Sequence, residues 1–138
     1  MKKTSLTLIL PQILSNHKEW FSSKGREGIF ADLSEENLRG ANFRNCNLVE
    51  ANLQAADLCY TDFTDADLRG ANLLEAQLKG AKLENANFEE TDLMWANLKG
   101  ANLENTRFDG AYLQGTNLQD TGIRQAQIKL AFIDEDTQ

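Results

Sequence analysis

The groups in this chain that could do chemistry are one histidine, two cysteines and a long series of Asn and Asp. Nucleophilic catalysis needs a Ser, Cys or Thr with a base beside it. His17 is the single histidine, and no Ser or Cys has a plausible base. Cys46 and Cys59 occupy different slots of the sequence pattern, which points to free thiols rather than a disulfide framework or a metal knuckle. Asn37, Asn42, Asn47, Asn52 and Asp57 open a series that recurs every five residues and is tempting as a carboxylate array. Metal sites need ligands that converge, whereas an outward-facing ladder diverges. Short polar side chains at corners bond neighbouring backbone groups instead. No Gly-rich phosphate loop follows a strand, and no acidic pair flanks a pocket. These residues describe a protein that is no enzyme, with no catalytic residue, no cofactor and no metal.

The element that positions them is a repeat. Every fifth residue from Leu33 to Ile133 is Leu, Phe or Ile. Ala, Thr or Cys stands two residues before each of these, except Glu36 before Leu38. A period of five matches neither the helix at about 3.6 nor the strand at 2, but it matches a chain that turns a corner every five residues. At each corner the small and the central residue point in and the other three point out. The second residue after the central one is often Gly or Asn, as at Gly40, Asn45 and Gly70, which is what a type II turn wants where φ is positive. Tyr60, Glu75 and Trp95 hold the same slot, so those corners are expected to use another turn type. Glu36 is expected to point outward or meet Arg39 or Lys24.

Units such as ADLRGANLLEAQLKGAKLENANF resemble the pentapeptide repeat family over most of the chain. That resemblance implies an all-β solenoid, a right-handed quadrilateral β-helix with four pentapeptides per coil and about five coils. The twenty-residue spacings Phe43–Phe63 and Phe88–Phe108 agree, placing two phenylalanine columns inside. At a coil spacing of about 4.8 Å the rod is roughly 25 Å long.

Residues 1–30 lie outside the repeat and read as a helical cap and join. Leu10, Ile13, Leu14, His17 and Phe21 recur at helical spacing, describing a short capping α-helix from about Pro11 to Ser22, with Ile13, Leu14 and Phe21 over the first coil. Residues 31–138 form the pentapeptide-repeat β-helix with a short acidic tail. No second capping helix is expected before DEDTQ. The open end, with Leu130 and Phe132 outside, invites a weak homodimer through the C-terminal end. MKKTSLTLIL faintly resembles a leader, but Pro11 and Gln12 interrupt the apolar run and no A-x-A site follows. No stretch approaches the roughly 20 apolar residues of a membrane span. A cytoplasmic protein with no membrane partner is expected.

Function then falls to the outer surface. The face centred on Leu33, Leu53, Leu73, Leu93, Leu113 and Ile133 shows Asp32, Glu35, Glu75, Asp92, Asp134 and Glu135 with no Lys or Arg. It also shows Leu74, Met94, Trp95, Tyr112 and Phe132. Aromatic and Met side chains in an acidic field describe a contact site for an unidentified protein partner, with Leu74, Glu75, Asp92, Met94, Trp95 and Tyr112 as its candidate residues. The next face aligns Arg39, Lys79 and Lys99 against Asp57 and Asp120 and reads as a solvated surface. The alternative comes from family members that mimic duplex DNA, bind DNA gyrase, and inhibit it or protect it from quinolones. Duplex DNA of that length would carry roughly 15 charges. Residues 31–138 carry 19 acidic and 9 basic side chains, a net of −10 with the cations interspersed. This favours the interaction module, and a net-acidic chain does not favour nucleic acid as partner.

Overall fold

The computed structural model describes residues 6–138; Met1 to Ser5, which open the leader-like stretch and the proposed cap-and-join segment, lie outside the described residues. From Ala31 to Asp120 each pentapeptide repeats one conformation. The carbonyl of each central residue from Leu33 to Leu113 accepts the N–H three residues on, as from Ala41 to Leu38 at 3.0 Å and from Ala56 to Leu53 at 3.1 Å. Every fifth residue from Glu35 to Asp120 has positive φ, the pattern of a type II turn.

Six of those corners are glycine and twelve are not. Tyr60, Glu75 and Trp95 sit at φ 60, 60 and 59, so the expectation of a different turn at the bulky corners is wrong. What the corners exclude is a branched Cβ, since none is Val, Ile or Thr. The left-handed conformation costs a non-glycine residue about 1–2 kcal/mol. It persists because the corner amide is tied to the next coil: Trp95 N–H to Gln114 O and Tyr60 N–H to Lys79 O, both at 3.0 Å.

Asn and Asp before the central residue brace the same turn. All fourteen between Asp32 and Asn117 accept, through Oδ1, the backbone N–H two residues on, at 2.9–3.2 Å. Such a bond holds the chain in its bend before any coil stacks on it. Ladders form as well, with Asn105 donating to Asn85 and Asn85 to Asp65.

The register between coils is twenty residues. Asp32 pairs in parallel with Asn52, Asn37 with Asp57, Asn42 with Asp62 and Asn47 with Asp67. Four short sides therefore close each coil, and strand pairing shrinks to one bridge per side. Leu53, Leu73 and Leu93 are fully buried with the other central residues of the intermediate coils. Phe43 stacks on Phe63 at 4.7 Å and Phe88 on Phe108 at 5.7 Å, so both columns exist. Inward threonines bond carbonyls of the previous coil, as Thr91 does to Leu68 and Thr106 to Leu83, both at 2.8 Å.

Helix α1 runs Leu6–Ser22, longer than the sequence implies, with Pro11 inside it. Leu10 is buried, and Leu6, Ile13 and Leu14 pack against the core. That apolar stripe outweighs the backbone bond lost at the proline. Phe21 stays exposed rather than covering the first coil. Glu36 is exposed, and Arg39 turns to Asp57 instead.

The repeating conformation stops after Asp120, although its letters continue. Gly122 and Gln127 stand where Asn or Asp would brace the turn. The chain instead forms α2, Gln125–Ile128, so a second, short helix lies at this end where none was expected. Gln127 Nε2 donates to Leu103 O at 2.8 Å and Thr106 O at 3.2 Å, while Ile123, Ile128 and Ala131 pack on the core. Phe132 resumes pairing, with Tyr112. Ile133, expected as a central residue, is 53% exposed. Ile123, Ile128 and Ala131 thus cover part of the end, while Leu130 and Phe132 stay outside, as expected, at 64% and 51% exposure. No helix is long and apolar enough to cross a membrane among the described residues.

Candidate functional site

The first face is built from residues 31–35 and the pentapeptides at twenty-residue steps above them. Asp32, Asn52, Asn72, Asp92, Tyr112 and Phe132 form one unbroken column of bridges. Tyr112 stacks on Phe132, centroids 5.0 Å apart and planes 18° from parallel. Beside that column run Leu74, Met94 and Gln114, each half-buried. Asn72 and Asp92 hold the Leu74 and Met94 amides, both at 3.0 Å. At the corner stand Glu75, Trp95 and Gly115, tied by Glu75 N–H to Met94 O at 2.9 Å and Trp95 N–H to Gln114 O at 3.0 Å. Leu74, Glu75, Asp92, Met94, Trp95 and Tyr112 therefore lie on three successive rungs of one surface.

Trp95 does not stand free. Its six-membered ring lies across Gly115, where an added Cβ would strike it. The absence of a side chain at Gly115 forms the bed for the indole, which is 55% exposed. Gly115 N–H donates to Asp134 Oδ1 at 3.0 Å, and the Thr137 hydroxyl donates to the same oxygen at 3.0 Å. The Gly115 amide, followed by the Thr137 hydroxyl, keeps the Asp134 carboxyl below the usual carboxylate range, so an ionised group is fixed near the ring. Gly115 is the residue that sequence reasoning passed over. The signal was present: an aromatic corner followed by glycine twenty residues on, at Trp95–Gly115 and at Tyr60–Gly80. Gln114 Oε1 is buried without a hydrogen-bond donor among the described residues.

The remaining candidates are used internally. His17 is fully buried; its Nε2 lies 2.9 Å from Val49 O and its Nδ1 accepts Ala31 N–H at 3.1 Å. In later coils such a carbonyl receives a corner amide and such an amide closes a turn. The imidazole stands in for the coil that does not exist below the first. With Nδ1 accepting, Nε2 must carry the proton and the ring is neutral. Burial, outweighing the Val49 bond and the Glu50 carboxylate, lowers its pKa below the ordinary histidine value. Cys46 and Cys59 are free, and burial pushes both thiols up, away from reactivity. No cluster of metal-ligating side chains occurs among the described residues. The most apolar hollow, about 440 Å³ between Leu6, Leu10, Leu14 and residues Asn37–Asn42, presents Arg39 as its single ionisable group among the described residues. On the second face Arg39 pairs with Asp57 at 3.3 Å and Lys99 with Asp120 at 3.9 Å, as a solvated surface would.

The profile described as Pentapeptide repeats matches eight copies over residues 29–58, 37–73, 71–110 and 91–126. The chain belongs to the pentapeptide repeat family. Among solved structures it is similar to HetL, a pentapeptide repeat protein involved in heterocyst differentiation regulation in Nostoc sp. strain PCC 7120, with 41% identity and TM-score 0.63 over 64% of this chain and 37% of HetL. It is also similar to a pentapeptide repeat protein of the Arabidopsis thaliana thylakoid lumen, with 36% identity and TM-score 0.70 over 78% of each chain. A pentapeptide repeat protein from Nostoc PCC 7120 shares the fold at TM-score 0.68 and 23% identity, over 88% of this chain and 95% of the other. This chain spans little more than a third of HetL. No curated protein matches it.

Proposed function

We propose that this pentapeptide repeat protein is a non-enzymatic interaction or scaffold module that binds a protein partner through its first face. The observation that carries the reading is the side-chain set there: Trp95, Tyr112 and Phe132 exposed at 55%, 42% and 51% among six carboxylates and no Lys or Arg. Large aromatics on a rigid backbone lose little freedom on binding, and Trp and Tyr dominate binding energy at interfaces. The reading takes the frame to be the family's right-handed quadrilateral β-helix, with α1 as its cap. Duplex mimicry, the gyrase alternative, is less well supported, because cations interspersed on the other faces pair with several of their carboxylates. Arg44 meets Asp62, Arg69 meets Asp67, and Arg107 meets Glu89.

The test is affinity capture from the native lysate with wild type and with Trp95→Ala plus Tyr112→Ala. Proteins retained by wild type should be lost from the double variant. Identical captures would remove the first face as the binding surface.

A further inference from the structure

The first face contains a second-face arrangement with one member exchanged. On the second face Tyr60 occupies a corner at φ 60, and its ring lies over Gly80, where an added Cβ would come within 2.6 Å of Tyr60 Cε1. Three residues earlier Asp57 accepts the Cys59 amide at 3.1 Å. Arg39, one coil below, sets its guanidinium 5.3 Å from the Tyr60 centroid and 3.3 Å from Asp57 Oδ2. Ring, glycine bed, carboxylate and guanidinium make a closed clamp.

Thirty-five residues on, three of these four parts recur. Trp95 occupies a corner at φ 59, and its ring lies over Gly115. Three residues earlier Asp92 accepts the Met94 amide at 3.0 Å. The residue that stands to Trp95 as Arg39 stands to Tyr60 is Leu74. Asp92 has no ion-pair partner among the described residues, whereas Asp57, Asp62, Asp67 and Glu89 all have one. Because the backbone is the same in every pentapeptide, the two places differ mainly in side chains, and the exchange removes the cation.

Resting on the first face as the interaction surface, we infer that its partner is a basic, extended protein segment that lays an arginine or lysine side chain over the Trp95 indole and against Asp92. That cation takes the place Arg39 fills at Tyr60. Trp is the strongest aromatic partner for a cation, and Arg the commoner cation. Glu75, Asp92 and Asp134 supply the opposing charge, while Met94 and the Tyr112–Phe132 stack offer apolar surface to the methylene stem of the same side chain. A neutral or acidic partner would leave the carboxylates unanswered.

The experiment is proton–nitrogen NMR of the full chain, whose two indole N–H signals come from Trp20 and Trp95. The probe is a blocked hexapeptide alternating arginine and glycine. The control replaces each arginine with citrulline, which keeps the shape and removes the charge. The Trp95 signal should move with the arginine peptide and the Trp20 signal should not. Citrulline should bind at least tenfold more weakly. Trp95→Ala should weaken arginine-peptide binding about tenfold, equivalent to about 1.4 kcal/mol. Leu74→Arg supplies the missing cation in cis and should abolish the Trp95 response. Gln54→Arg adds the same charge one coil away and should keep binding within threefold. Equal response to citrulline, undiminished binding by Trp95→Ala, or equal loss in Leu74→Arg and Gln54→Arg would each overturn the inference. Capture lost from the Trp95→Ala plus Tyr112→Ala variant without arginine preference overturns this inference alone. Unchanged capture overturns the proposed function itself.

Discussion

Two glycines with the same backbone but different neighbours give a direct measure of the ring-over-glycine contact. Gly100 has φ 69 and nothing within 4 Å of an added Cβ, while Gly115 has φ 68 and the Trp95 indole lying over it. Replacing Gly100 with Ala should cost only the left-handed strain, about 1–2 kcal/mol. Gly115→Ala incurs the same strain and also lifts the indole from its bed. A tryptophan buries roughly 150–250 Å² when enclosed, and Trp95 is a little under half covered. Roughly 100 Å² at about 25 cal/mol/Å² bounds the extra loss at about 2.5 kcal/mol. Gly115→Ala is therefore expected to destabilise by about 1–2 kcal/mol more than Gly100→Ala. Urea unfolding at constant m gives both values. Adding Trp95→Ala should bring the Gly115→Ala cost down to that of Gly100→Ala, the signature of a pairwise term in a double-mutant cycle. Equal costs for the two glycines in the wild-type background would refute the contact and the geometry built on it.

The other predictions concern the interior. His17 has a lower pKa folded than unfolded, so the unfolded chain binds the extra proton first; stability is full above about pH 6.5 and falls as pH drops below it, by at most about 1.4 kcal/mol per unit. Urea midpoints at pH 7.5 and 5.5 should show this decline. In His17→Gln, which keeps a donor and an acceptor without titrating, the decline should flatten; an unchanged slope would place the pH dependence elsewhere. Leu73→Ala should cost about 3–5 kcal/mol, whereas Ile133→Ala should change stability by less than about 0.5 kcal/mol. Comparable losses would mean that the last units do enter the tube.

What could be read from the sequence is whatever recurs locally. The five-residue beat encodes the corner because the turn needs only its own residues: the carbonyl of Leu53, the amide of Ala56 and the Oδ1 of Asn52. The phenylalanine columns follow from one spacing. The places that escaped are set by neighbours twenty residues away. Tyr60 and Trp95 take positive φ because the next coil holds their amides and a glycine there accepts their rings. Ile123, Ile128 and Ile133 keep the beat without making a coil, because the segment forms α2 instead. Pro11 is absorbed into α1 because the Leu6, Leu10 and Leu14 stripe extends past it onto the core.

Regularity also decides where function can be sought. The interior of each coil is filled by its own side chains, so selection for binding acts on outward positions over an almost invariant backbone. In such a molecule a residue is informative when it departs from its structural equivalent elsewhere in the chain. Leu74 is such a departure. An aliphatic side chain there leaves the Trp95 face and Asp92 without the guanidinium that the Tyr60 clamp keeps for itself. The carboxylates on that face gain nothing for folding from one another, because like charges repel. A set of carboxylates without an ion-pair partner among the described residues, which matches the recognition half of an internal clamp, is the set that a cation supplied from outside the chain would complete.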